Sequence, residues 1–227
     1  MTSLIGGGCG WLWERGKRSR TLRRKAAFFG VVPGEPCLVV VGNKHGLPDV
    51  THRKDVDVIA EIAALAGQFG SDVVTESSNT FRGSNDDRTE FCVGGPLGEA
   101  NVRTGGHLAA HLPGVRVLPY REGHPDSVAL VVGEHRYPFD KNVQEYALVA
   151  KFTPPEASRP VLLLCGQSPL ANRAAVHHLR RRYAEVARAL ESVDRFCIVI
   201  KVPEIRTYGY QAATLERDVT REAFARG

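Results

Sequence analysis

Apolar residues in this chain come in two textures. The first is the short, largely unbroken run: residues 37–41, 72–75, 90–93, 115–118, 146–152, 160–165 and 195–202. The second is a spaced set: Val56, Ile59, Ile62, Ala63, Ala66 and Phe69 recur at helical intervals, as do Leu179, Tyr183, Val186 and Leu190. Short runs bounded by Gly, Pro and Asn read as strands buried on both faces. Apolar positions three or four apart read as helices with one apolar stripe. The order predicts a single α/β domain, a mostly parallel sheet of about five to seven strands with helices on both faces.

The clearest unit spans residues 159–190. The run 160–165 ends at Gly166, and Gln167, Ser168 and Pro169 follow. Ser168 is the expected N-cap of the next helix, and Pro169 suits its first position, where a missing N–H costs nothing. Arg180, Arg181 and Arg182 cover much of the polar side. A second helix is predicted from about residue 100 to 111, after Gly94-Gly95-Pro96. A third follows Thr51, its expected cap, and stops at Gly70. Residues 77–89 are polar and long enough for a lid or rim. Residues 127–139, turning at Gly133-Glu134, predict an antiparallel hairpin inserted at a sheet edge. Residues 213–220 suit an edge strand, and 222–226 a frayed end.

Charge changes the picture only once it is located. With 43% hydrophobic residues the chain has material for a core. The net charge of +5 suggests nucleic acid until residues 1–30 are counted separately: seven basic groups and one acid, a net of +6, leaving −1 for the rest. Nucleic-acid binding by the folded body is therefore disfavoured. Residues 1–30 read as a basic tail flanked by Trp11, Trp13, Phe28 and Phe29, suited to an anionic membrane surface or a protein partner. Residues 31–227 are then the α/β domain. No apolar stretch reaches the ~18 residues of a spanning helix, and no secretory leader is evident. The five cysteines form no Cys-x-x-Cys pair and lie mostly in strand-like runs. They read as free thiols in a reducing compartment, so a cytoplasmic chain, with membrane association through the tail as an option, is expected.

Gly42, Gly94, Gly95 and Gly166 all follow predicted strands. Glycine at the carboxyl end of a parallel strand lets a ligand approach the backbone, and the next helix start offers free N–H groups and partial positive charge. Open α/β sheets bind ligands outside those strand ends. The expected ligand set is Gly42, Asn43, Gly94, Gly95, Asn101, Gly166, Gln167, Ser168 and Asn172, and the expected ligand an anionic, nucleotide-like small molecule that is bound or sensed. Gly95, Asn101, His107 and Leu108 recur as Gly166, Asn172, His178 and Leu179 at a constant offset of 71, which would suit two pseudo-equivalent strand–turn–helix units.

Other chemistry is thinner. Neither a Walker loop nor Gly-x-Gly-x-x-Gly follows any strand, so ATP hydrolysis by a P-loop and the usual dinucleotide binding are disfavoured, and no cofactor is predicted. Glu99 and Asp49 follow strand ends and are the candidate carboxylates of an alternative reading, hydrolysis of a nucleotide or N-glycosidic bond. Cys165, at a strand end beside a helix start, is the candidate nucleophile. His107 and His111 have metal-ligand spacing but lack the glutamate of the zinc-protease motif, so no metal site is predicted.

Residues 91–96 (Phe-Cys-Val-Gly-Gly-Pro) with Asn101, residues 146–149 (Tyr-Ala-Leu-Val) and residues 163–166 (Leu-Leu-Cys-Gly) together resemble an uncharacterised bacterial family of small α/β proteins with a strand–Gly-Gly-Pro–helix motif. The resemblance spans roughly residues 33–220. It implies an α/β fold, often with an N-terminal membrane-proximal segment, and carries no catalytic residues with it.

Overall fold

A computed structural model of the chain describes residues 6–43, 50–97, 100–141 and 143–225, with residues 6–16 and 18 described by backbone alone. In chain order the elements are α1 (Gly6–Phe29), β1 (Cys37–Val41), α2 (Arg53–Ala66), β2 (Val73–Ser77), β3 (Glu90–Val93), α3 (Val102–His111), β4 (Val115–Val117), β5 (Leu130–Val132) and β6 (His135–Tyr137). There follow β7 (Gln144–Phe152), β8 (Val161–Gly166), α4 (Pro169–Ala189), β9 (Phe196–Pro203), α5 (Ile205–Tyr208), β10 (Thr214–Asp218) and α6 (Thr220–Phe224).

The main sheet has seven strands in the order β10-β9-β7-β8-β3-β1-β2. Its core β8-β3-β1-β2 is parallel, whereas β7 runs antiparallel between β8 and β9, and β10 antiparallel to β9. Every strand direction but those of β7 and β10 is shared, which is the mostly parallel α/β arrangement expected. Both faces are covered, which is why the inner strands are largely apolar rather than alternating. One face packs Phe28, Phe29, Ile62, Leu179 and Phe196 from α1, α2, α4 and the sheet; the other packs Leu108, Leu112, Leu130, Leu148 and Val199 beneath α3 and the small sheet.

Four local expectations are corrected. The hairpin turns at Gly133, as predicted, but β5 and β6 do not extend the main sheet. They pair with β4 in a separate three-stranded sheet, because the run 115–118 finds its partner in β5. The segment read as a frayed end is helix α6, held by the burial of Val219 and Ala223. The cap of α2 is His52, whose Nδ1 accepts from Lys54 N at 3.2 Å, rather than Thr51. The segment read as a tail is largely helix α1, and its last turn enters the core through Ala26, Phe28 and Phe29, so the folded unit begins before residue 31. No helix among the described residues is long and apolar enough to cross a membrane.

Candidate functional site

The parallel strands β1, β3 and β8 are neighbours, so the turns that follow them open on the same edge. They surround a crevice of about 280 Å³ lined by Gly42, Asn43, Gly94, Gly95, Gly166, Gln167, Ser168 and Asn172 of the predicted set, together with His52 and Asp55. The starts of α2 and α4 border it through His52 and Pro169, and the approach to α3 through Ala100. Asn101 does not line it.

The polar side chains expected to hold a ligand are engaged in building the crevice instead. Asn101 is the N-cap of α3: its Oδ1 accepts from Thr104 N at 2.9 Å and its Nδ2 donates to Val93 O at 2.7 Å. Asn172 Oδ1 accepts from Gly166 N at 2.6 Å, and its Nδ2 donates to Asp55 at 3.3 Å. Each asparagine thus ties its helix to the end of the strand before it, one through an acceptor and the other through a donor. The internal echo has that much structural content. Ser168 caps α4, accepting from Ala171 N, and donates to Glu145. Asn43 Oδ1 accepts from Ser77 Oγ at 3.1 Å.

Gln167 is the most connected of the set. Its Oε1 accepts from Tyr146 N at 2.8 Å, while its Nε2 donates to Val128 O at 3.1 Å and Tyr137 O at 2.9 Å. Val128 has φ +62°, a left-handed conformation that a β-branched residue adopts only under constraint.

The glycines also serve the chain first. A Cβ on Gly42 would lie 2.7 Å from Ala100 O, and one on Gly166 would lie 2.7 Å from Asn172 N. The close approach that required glycine there is made by the protein's own backbone. Among the residues that line the crevice, Gly95 and Ser168 have backbone N–H groups with no acceptor among the described residues, and His52 and Asp55 each keep a polar atom beyond their bonds to Lys54 and Asn172.

Asp55 was not singled out from sequence, because a first-turn acid on a helix ordinarily lies in solvent against the helix dipole. Here it is only 8% exposed. Burial pushes its carboxyl up, opposed by the Asn172 amide and by His52. Glu145, bonded to Ser168 behind the crevice, is likewise pushed up by burial, opposed by Ser168 and by nearby Lys54. No pattern within α2 or β7 marks either residue, since their burial depends on α4 packing across both.

The catalytic candidates fare differently. Glu99 and Asp49 lie outside the described residues. Cys165 is buried, and burial pushes its thiol up to about 12. Burial of this kind works against the thiolate that a helix start would favour, and no base is bonded to Cys165 among the described residues. His107 does not pair with His111 as a chelate: its Nε2 lies 2.9 Å from Glu90 Oε1. Glu90, Cys92 and His107 place donor atoms within 4.8 Å of one another. Arg103, however, grips both Glu90 oxygens, and burial drives the Cys92 thiol far above its ordinary value. A guanidinium on the carboxylate and a protonated thiol both oppose a cation there.

A scan of protein-family models returns no match to the chain, and a search of curated proteins returns none either.

Proposed function

We propose that the chain binds or senses a small molecule with an anionic group and a hydroxyl-bearing body in the crevice at the carboxyl ends of β1, β3 and β8. The observation that carries this reading is the convergence of three glycine turns and two helix starts on one opening, with two amide hydrogens unspent. The anion lies against Gly95 and Ser168, and the body's hydroxyls reach Asp55 and His52. The volume sits at the lower edge of ligand pockets, roughly 300–1,000 Å³. It suits a sugar phosphate or nucleoside monophosphate better than a dinucleotide. Calorimetric titration and thermal shift with a panel of these compounds test it. At least one should bind, and Asp55→Ala should weaken that binding about tenfold, the scale of one lost hydrogen bond to a charged group. A panel with no binder, or one whose binding ignores Asp55→Ala, overturns the reading.

A second reading is favoured by one observation, the buried and upward-shifted Asp55 carboxyl at the opening. A carboxyl in that state suits proton transfer in cleavage of a nucleotide or glycosidic bond. It predicts turnover that Asp55→Asn abolishes while binding persists. Binding without turnover in the unaltered chain leaves the sensing role.

A further inference from the structure

A trough of about 680 Å³ lies between residues 78–85, one stripe of α3 and residues 154–156, and it shares no lining residue with the crevice. Its α3 wall presents Val102, Gly106 and Ala110 four positions apart, a stripe of small residues beside the polar row of Arg103, His107 and His111. Phe81, also in the lining, lies under the Arg103 guanidinium at 4.7 Å.

Two arginines meet here with different commitments. Arg103 spends Nε and Nη2 on the two oxygens of Glu90, a side-on bidentate grip. Arg82 is anchored through Nη1 alone, on Ser78 O at 3.1 Å and Phe81 O at 3.2 Å. Its Nε and Nη2 edge, the same edge with which Arg103 holds Glu90, has no acceptor among the described residues. A second observation points the same way. Ser78 also lines the trough, is fully buried, and its Oγ has no hydrogen-bond partner among the described residues. Buried hydroxyls are ordinarily paired.

The other titratable groups define the field. Glu90 is cancelled by Arg103, and His107 faces Glu90. His111 is lowered by burial and by His107, partly offset by Glu156. Glu156 also lines the trough, within electrostatic reach of Arg103 and His111.

We infer that this trough is a second binding site, for a small organic acid with a flat apolar body. The carboxylate takes the free Arg82 edge and the Ser78 hydroxyl, and the body lies on Phe81, Gly106 and Ala110. Guanidinium–carboxylate pairing fixes the head, and the small residues of α3 leave room for a ring.

Benzoate is the probe, with benzamide (same body, no charge) and acetate (same charge, no body) as comparisons. Titration of the full chain by ligand-observed NMR should show millimolar benzoate binding and at least tenfold weaker binding of both analogues. Arg82→Gln should weaken benzoate about tenfold, and Glu156→Gln should strengthen it severalfold by removing like charge. Gly106→Leu should abolish it without lowering the unfolding temperature, since a Cβ at Gly106 meets nothing within 4 Å. Asp55→Ala should leave benzoate unaffected, which separates this site from the crevice. Absence of benzoate binding, equal binding of benzamide, or binding that survives both Arg82→Gln and Gly106→Leu overturns the proposal.

Discussion

Charged groups inside the sheet are the residues whose behaviour is most informative. Glu90 is completely buried at the start of β3. Burial alone would raise its carboxyl, but Arg103, at 2.8 Å through Nε, and then His107 hold it below the ordinary value. Such a group contributes stability above its unfolded pKa that disappears as pH falls through the folded one. Removing the guanidinium leaves a buried, uncompensated charge. Arg103→Met should therefore cost about 3–5 kcal/mol in urea unfolding, and Glu90→Gln in the same chain should restore much of it. Lys151 is the opposite case. Burial lowers it to about 8, partly offset by Asp194, while its Nζ donates to Ala27 O at 2.6 Å and Val193 O at 2.8 Å. The unfolded chain binds this proton more tightly between pH 8 and 10.5, so stability rises with pH across that window. Relative to Lys151→Met, the unaltered chain should gain on the order of 3 kcal/mol there. Taking the difference between the two chains cancels the opposing titration of the buried cysteines. None of these placements was legible in sequence. Lys151 interrupts an apolar run, as a solvent-facing strand residue would, and its carbonyl partners come from distant elements.

Elements were more legible than residues, and for a clear reason. β1 and, past Glu90, β3 coincide with their apolar runs because a strand covered on both faces is mostly apolar. The Ser168 cap and Pro169 start of α4 followed from local chemistry that needs no tertiary knowledge. An apolar run does not state its direction, however, so nothing marked β7 as antiparallel or β4 as belonging to the small sheet. The limit shows most clearly in α1. Its basic stretch, with exposed Arg20, Arg23 and Arg24, reads as a tail, yet about one turn later Phe28 stacks on Phe196 at 5.4 Å. Phe28→Ala should cost about 3–5 kcal/mol, measured by chemical unfolding. Deleting residues 1–30 should destabilise the domain for the same reason. A test of membrane docking by this segment therefore needs Arg20, Arg23 and Arg24 changed to Gln on the intact chain, with vesicle sedimentation as readout.

Across the whole molecule, the site was legible as a place and not as a set of contacts. The rule that α/β sheets open at their strand ends located the crevice, and glycine turns marked its rim. The rule could not say which side chains remain free, because Asn101, Gln167, Ser168 and Asn172 are consumed by caps and cross-links that exist only once the helices pack. Asp55 and His52 emerged for the same reason in reverse: α2 carries them to the opening, and nothing near them in sequence advertises it.

Gln167 has a mechanical consequence. A single carboxamide, rooted on the crevice wall, holds together the end of β8, the start of β7, the carbonyl of Tyr137 in β6 and the carbonyl of Val128 in the turn before β5, a residue kept in an unfavourable twist. The crevice and the three-stranded sheet therefore share one latch. Cutting it with Gln167→Ala should let Val128 relax and quicken deuterium uptake across residues 130–137, by about tenfold for each 1.4 kcal/mol lost. Amides of the main parallel strands should keep their protection. Whatever tugs on that latch from the crevice side would be reported as a loosening of a sheet it never touches.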